Sequence, residues 1–168
     1  MQLNEAKNKF IQEWGILSFH WGIPKSMAQV HALLLCSSEL LSCEDIMEQL
    51  QISRGNANMT TRELINWGLV KRESKPGERR EFFRAEKDMW KVFIRIVKER
   101  RKRELEPIIH FLNEIEQVEG DKRNADVKEF KDMVHGIHDV SKKADKLLEA
   151  LIKSDESWFL KMFFKIVK

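Results

Sequence analysis

The sequence predicts a mainly α-helical fold with one small β-hairpin. Along most of the 168 residues, apolar side chains recur at steps of three and four, which is the period of an amphipathic helix. Residues that favour helix N-caps precede several of these runs. The exception is the segment 69–86, where two short strand-like stretches flank a Pro-Gly pair that is typical of a tight turn.

The first two helices lie before residue 36. A helix over residues 3–20 is indicated by the apolar stripe Phe10, Trp14, Leu17 and Trp21. Gly22-Ile23-Pro24 ends this helix. Ser26 and Gln29 have the spacing of a capping box, so a second helix is expected through the apolar run 30–35.

The next two helices are joined by a very short turn. Ser42 and Asp45 predict the N-terminus of a third helix of about two turns, in which Ile46 and Leu50 share a face. Ser53 can then cap a fourth helix that runs to about Trp67 and stops at Gly68. Two helices joined in this way are typical of a helix-turn-helix.

A two-stranded hairpin is predicted directly after the fourth helix. Its strands are residues 69–74 and 79–86, and Pro76 and Gly77 suit the central positions of a type II turn between them. A hairpin in this place is the wing of a winged helix-turn-helix domain.

The remainder is predicted to be helical. Apolar residues share one face from residue 88 onward, and Pro107 is expected to kink or divide this helix. A turn follows at Gly120-Asp121, and a last short helix is expected from residue 154 with Trp158, Phe159, Phe163 and Phe164. Between them a near-heptad stripe favours helix-on-helix packing. Its residues are Val127, Phe130, Val134, Ile137, Ser141, Ala144, Leu148 and Leu151.

The charge is distributed very unevenly. Residues 53–103 contain 16 Lys and Arg against 7 Asp and Glu, a net charge of +9, whereas the other residues carry 14 basic and 20 acidic side chains, a net charge of −6. The formal charge of the whole chain, +3, hides this contrast. A strongly basic segment favours a polyanionic partner, although a charged surface is also found on proteins that only face solvent.

The outward arc of the fourth helix has the side chains of a major-groove reader. Arginine can bind guanine O6 and N7, and asparagine can pair with adenine N6 and N7. The alternative is an ordinary solvated helix face. We therefore expect the residues that contact double-stranded DNA to come from a recognition helix of about 53–67 and a wing of about 69–86. They are Ser53, Arg54, Gly55, Asn56, Asn58, Met59, Arg62, Lys75, Arg79 and Arg80.

Several segments, in order, resemble the GbsR branch of the MarR-like winged-helix transcription regulators. They are WGIPKS from Trp21, ISRGNANM from Ile52, EL at Glu63, WGLVKR from Trp67 and KPGERREFF from Lys75. The resemblance implies a homodimeric DNA-binding regulator whose recognition helix starts at Ser53. Thr60 and Thr61 depart from the Asn-Leu expected there, and Thr61 falls on the inward face with Ala57, Leu64 and Gly68.

These observations divide the chain into three parts. Residues 1–22 form a helix for packing or dimerisation, 23–87 the winged helix-turn-helix domain, and 88–168 a helical dimerisation region. We expect a sequence-specific regulator, a repressor, that acts as a homodimer and responds to a small-molecule effector. Trp14, Trp21, Trp67 and Trp90 are candidates to line an effector site, and the alternative for each, which the sequence favours, is core packing. The alternatives are an intrachain bundle for the heptad stripe and a winged-helix module that contacts protein without binding DNA.

The sequence contains few features that are typical of other classes of protein function. A phosphate-binding glycine loop and a nucleophile motif are missing, so no enzyme is expected. We expect no cofactor and no metal, although His135, His138 and Asp132 share a helix face. Cys36 and Cys43 have no Cys or His close enough for a zinc site, and are expected to be ordinary buried thiols. No apolar run could span a membrane, which predicts a cytoplasmic protein. The basic block Lys98–Arg103 is consistent with two roles, a contact with the DNA backbone or a solvated helix surface.

Overall fold

The computed structural model describes residues 1–117 and 124–154. The predicted turn at Gly120-Asp121 and the predicted last aromatic helix lie outside these residues. The chain forms two compact units, of which the first is Met1–Val92 and the second begins at Phe93. Helices dominate, with one small antiparallel sheet, so the predicted fold class is confirmed.

The first unit contains four complete helices and a three-stranded sheet. The helices are α1 (Leu3–Phe19), α2 (Lys25–Cys36), α3 (Cys43–Leu50) and α4 (Arg54–Asn66), and α5 (Met89–Arg100) begins in this unit. The strands are β1 (Leu41–Ser42), β2 (Val70–Glu73) and β3 (Phe82–Ala85), in the order β1-β3-β2. The sequence predicted only β2 and β3, because β1 is two residues long and is defined by its pairing of Leu41 with Phe83.

Helices α1 and α2 pack closely because α1 has a glycine at their contact. A Cβ atom on Gly15 would lie 2.6 Å from Cγ of Gln29. The buried residues of α1 are Ile11, Gly15 and Ser18. The predicted apolar stripe, which includes Phe10 and Leu17, lies on a different face of α1 from these buried residues. Trp21, the last residue of that stripe, lies just beyond the helix and is 59% exposed.

The predicted capping box at the start of α2 is wrong. The helix begins at Lys25, one residue before Ser26, and Pro24 occupies the N-cap position without a side-chain cap. The fixed φ of proline suits a helix start, so Ser26 falls inside the first turn. Gln29 instead donates from Nε2 to Oε1 of Gln12 on α1, at 2.9 Å.

The helix-turn-helix and the wing form as predicted. Ser42 and Asp45 make a reciprocal capping box at α3, Gln51 turns the chain with a φ of 53°, and the Ser53 side chain accepts a hydrogen bond from the Asn56 N–H. In the wing, Gly77 has a φ of 80° and the Glu78 N–H donates to the Lys75 carbonyl at 3.1 Å, which is the geometry of a type II turn.

The core of the first unit lies where the sheet, α2, α3 and α4 meet. Its fully buried apolar side chains come from every one of these elements. They are Val30, Leu34, Ile46, Leu64, Val70 and Phe82. This core holds α4 against the rest of the unit and leaves the opposite face of α4 exposed.

In the second unit, α5 passes into a π-helical turn, Arg101–Leu105, and then into α6 (Glu106–Ile115). Pro107 lies in the first turn of α6. Proline lacks an N–H and its ring crowds the preceding turn of a helix. The wider π-helical turn before Pro107 accommodates both effects, so the helix is interrupted here as expected.

Helix α7 (Ala125–Lys153) packs against α6 and the π-helical turn. Val134, His138 and Ser141 are its buried residues. The predicted heptad stripe is divided between two faces, because Val134 and Ser141 are buried whereas Phe130 and Ile137 are exposed.

Candidate nucleic-acid interface

The exposed face of α4 is continuous over three turns. Gly55, Met59, Arg62 and Asn66 follow one another at helical spacing and are all exposed, and Met59 is 66% exposed. The buried face consists of Ala57, Thr60, Thr61 and Leu64. Ala57, Thr61 and Leu64 lie inward as predicted, and the Thr61 hydroxyl donates to the Ala57 carbonyl at 2.7 Å, so its burial leaves no unpaired group.

The N-terminus of α4 is open to an approaching backbone. Ser53 and Gly55 are exposed, and a Cβ built on Gly55 would meet nothing within 4 Å. First-turn N–H groups and the helix dipole favour an anion at such an end. Arg54 is also exposed, and its Nη2 atom lies 3.1 Å from Oε1 of Glu44 on α3.

Both asparagines of α4 are already hydrogen-bonded within the unit. The Asn56 side chain is half-buried, and its Oδ1 atom accepts from the hydroxyl of Thr60 at 3.1 Å. The Asn58 side chain is exposed, and its Oδ1 atom accepts from Sγ of Cys43 at 3.2 Å. The residues that hold these amides were not predicted. Thr60 is four residues from Asn56, so helical spacing alone could have indicated this contact. Cys43 lies on another helix, and no local pattern indicates its contact with Asn58.

The three predicted wing cations differ in their surroundings. Arg80 makes two hydrogen bonds to Oε2 of Glu78, at 3.0 and 2.6 Å, and Glu78 raises the pKa of its guanidinium. Lys75 places Nζ 4.2 Å from the centre of the Phe82 ring. Arg79 is exposed and, among the residues that the structure describes, has no ion pair.

Two acidic residues in the first turn of α3 lie near these cations. Hydrogen bonds from Ser42 lower the pKa of Asp45, and the charges of Arg80 and Lys75 lower it further. Glu44 pairs with Arg54. The structure therefore brings Arg54 of α4 and the wing cations Lys75 and Arg80 to the N-terminus of α3.

Arginines of the basic block in α5 and the π-helical turn are paired with carboxylates. Arg101 holds Asp145 of α7 through two hydrogen bonds of 2.6 and 3.1 Å. Arg103 pairs with Glu99 at 2.7 Å. Arg101 is therefore a packing residue between helices of the second unit.

The histidines of α7 face a carboxylate. His135 and His138 place Nδ1 at 3.2 and 2.9 Å from the two oxygens of Glu116, and the hydrogen bond with His135 lowers the pKa of Glu116. Asp132 does not join them. Within residues 1–117 and 124–154, no group of three or more His, Cys, Asp or Glu side chains is arranged to hold a metal ion.

The four candidate tryptophans do not line the cavity that opens beside α1. Its volume is about 400 Å³, and Lys7, Leu33, Cys36 and Gln49 are among its lining residues. Trp14 and Trp21 instead contact each other edge to face, and Trp67 donates from Nε1 to Glu63 at 3.0 Å. Cys36 and Cys43 are free thiols, as expected, but they are half-buried and not buried.

In the part of the chain that the structure describes, no helix combines the length and apolar character needed to cross a bilayer. No protein-family model matches the chain, and no curated protein matches it. A solved structure described as "Crystal Structure of a transcriptional regulator" is similar, with a TM-score of 0.58 and 18% sequence identity over 86% of this chain and 99% of that chain. This similarity shows a shared fold.

Proposed function

We propose that the chain is a double-stranded DNA-binding transcription regulator. In this proposal α4 enters the major groove, the wing lies on the backbone or minor groove, and residues 23–87 form the reading domain. The similar solved structure is described as a transcriptional regulator, which supports this class. The likeness of the motifs to the GbsR branch of MarR-like regulators supports the finer assignment.

The observation that carries the proposal is the pairing of the arginines in the first unit. Four of the six contact a carboxylate, namely Arg54, Arg72, Arg80 and Arg84. The other two, Arg62 and Arg79, have no acidic partner among the described residues. Arg62 projects from the middle of the exposed face of α4 and Arg79 from the wing. These are the two places where a winged helix meets bases and phosphates.

DNA binding by purified protein tests the proposal. We expect retardation of duplex DNA from the region upstream of the protein's own gene, strongest at low salt. Arg62→Ala should weaken binding to the specific site by about 1 to 3 kcal/mol and change random duplex little, because a base contact is lost. Arg79→Ala should weaken binding to both duplexes and reduce the salt slope by about one, because a phosphate contact is lost.

Arg72→Ala is the matched control. It removes the same charge from an arginine that is paired with Glu81, so it should affect specific binding less than Arg62→Ala. Equal losses for Arg62→Ala on specific and random duplex would contradict base reading by α4. No retardation at low salt would favour the alternative function, a winged helix that contacts protein.

We further propose that the regulator is a homodimer that represses by occupying its operator. Pairing of two copies would place two recognition helices about 34 Å apart, one turn of DNA. Helix α7 supports pairing, because exposed apolar residues follow a second heptad pattern beside the buried one. They are Phe130, Met133, Ile137, Val140 and Leu147. Such a seam is typical of a helix that packs against a further helix.

Sedimentation velocity tests the dimer. We expect wild-type protein to sediment as a dimer at micromolar concentration, and the double variant Ile137→Glu, Val140→Glu to sediment as a monomer. Lys142→Glu is the control, because it adds a negative charge to an exposed position of α7 outside the seam. A monomeric wild type, or a double variant that stays dimeric, would contradict pairing through this face.

A further inference from the structure

A carboxylate of α3 lies beside a cation that is proposed to contact DNA. Glu44 is in the first turn of α3, and its Oε1 atom lies 3.1 Å from Nη2 of Arg54, the first residue of α4. Arg54 is exposed at the open N-terminus of that helix. The cation of α4 that is best placed to meet a phosphate is therefore already paired with a negative charge.

The same carboxylate acts on the wing. Glu78 raises the pKa of the Arg80 guanidinium most strongly, and the charges of Asp45 and Glu44 raise it further. Glu44 thus lies between the start of the recognition helix and the wing, and its charge is felt by an arginine on each of them.

The charge at this junction differs from the charge that the sequence suggests. Residues 53–103 carry a net charge of +9, but α3 precedes that segment, so its acidic residues are not counted in it. Where α3, α4 and the wing meet, three cations lie near three carboxylates, and these six charges sum to zero. They are Arg54, Lys75 and Arg80, and Glu44, Asp45 and Glu78.

A phosphate that binds Arg54 must compete with Glu44. An exposed ion pair contributes little to stability, so the pair can open when DNA approaches. The carboxylate then remains close to the bound phosphate, and the two negative charges repel each other. A cation that stays partly paired also neutralises the phosphate less completely, so fewer counterions are released from the DNA.

We infer that Glu44 limits the affinity of the protein for the DNA backbone by pairing with Arg54. The inference rests on the proposed DNA-binding function. Backbone contacts carry no sequence information, so the limit applies to specific and random duplex alike. A lower backbone affinity leaves base contacts, such as the one proposed for Arg62, with a larger share of the total binding free energy.

Binding of a random duplex by the full chain, measured by fluorescence anisotropy at several salt concentrations, tests the inference. We expect Glu44→Gln to bind about 2- to 5-fold more tightly than wild type at low salt, the range for one exposed ion pair. The salt slope should steepen by up to about 0.9, the value for one more phosphate contact. Binding to the specific duplex should improve by the same factor.

Glu48→Gln is the matched control. Glu48 is an exposed glutamate one turn further along α3, and it has no ion pair among the described residues. The variant removes the same charge from the same helix, so it should change the affinity less than Glu44→Gln does and leave the salt slope unchanged. Equal gains from the two variants would show that overall charge is responsible, and would overturn the inference.

A double-variant cycle separates pairing from simple repulsion. Arg54→Ala should weaken binding to random duplex more in the Glu44→Gln protein than in the wild type, because there the arginine is free to contact phosphate. An equal loss in both proteins overturns the inference. The capping box of Ser42 and Asp45 does not involve Glu44, so α3 keeps its N-terminus in these variants. Glu44→Ala repeats the cycle with a residue of high helix propensity.

The outcomes distinguish this inference from the proposed function. If the wild type binds duplex DNA and Glu44→Gln binds random duplex no more tightly, the inference fails and DNA binding stands. If neither protein binds any duplex at low salt, the proposed function fails, and the inference fails with it. Binding by Glu44→Gln alone would support both.

Discussion

His31 makes the stability of the first unit dependent on pH. Its side chain on α2 is 5% exposed, and its Nε2 atom has no hydrogen-bond partner among the described residues. Burial, together with the smaller effect of the nearby Lys87 ammonium, lowers the pKa of His31 from 6.5 to about 4. The folded state therefore disfavours the imidazolium, whereas the unfolded chain accepts the proton near pH 6.5.

The sign and size of the effect follow from proton binding. Between pH 4 and 6.5 the unfolded state holds more protons at this site, so the free energy of unfolding falls as the pH falls. The contribution is fully present above pH 6.5. From pH 7.5 to pH 5 this one site should remove about 2 kcal/mol, and about 3 kcal/mol once the pH is below 4.

His31→Leu isolates this contribution. The leucine does not titrate and fills a similar apolar space, and every other titratable group is common to the two proteins. We expect the difference in unfolding free energy between variant and wild type to grow by about 2 kcal/mol from pH 7.5 to 5, in the variant's favour. Urea unfolding followed by circular dichroism measures it.

His20→Leu provides the control for replacing a histidine by leucine, because His20 is exposed just after the end of α1. Proton NMR of the His31 ring provides an independent check. A difference that stays constant from pH 7.5 to 5, or a His31 ring that titrates near 6.5, would refute the reasoning.

Three further predictions concern stability and are checked by thermal unfolding. Lys87→Met should cost about 1 to 2 kcal/mol, because the ammonium donates to three carbonyls at the end of α2, at 2.6 to 2.9 Å, and these lose their partner. Ser42→Ala should cost about 1 kcal/mol through loss of the α3 cap, and an unchanged melting temperature would contradict that role. Arg101→Met should cost about 1 to 2 kcal/mol by leaving Asp145 unpaired, whereas Lys143→Ala, at an exposed pair, should lower the melting temperature less than Arg101→Met does.

Local signals were sufficient for most of the first unit. The caps at Ser42 and Ser53, the stop at Gly68 and the type II turn at Pro76-Gly77 involve residues within four positions of one another. Their geometry depends on short-range hydrogen bonds and on backbone preference, which a single sequence displays. The capping box at Ser26 failed because Pro24 started the helix earlier.

The sequence by itself determined the order of the helices, the helix-turn-helix, the wing and the outward face of α4. Only the tertiary structure decided which polar groups on that face are free. The carbonyl oxygen of Asn58 accepts a hydrogen bond from Cys43, fifteen residues away. Three of the four paired arginines of the first unit, Arg54, Arg72 and Arg84, likewise pair with carboxylates that are distant in the sequence. A hydrogen bond between distant residues leaves no periodic pattern, so the set of groups available to a ligand belongs to the folded chain.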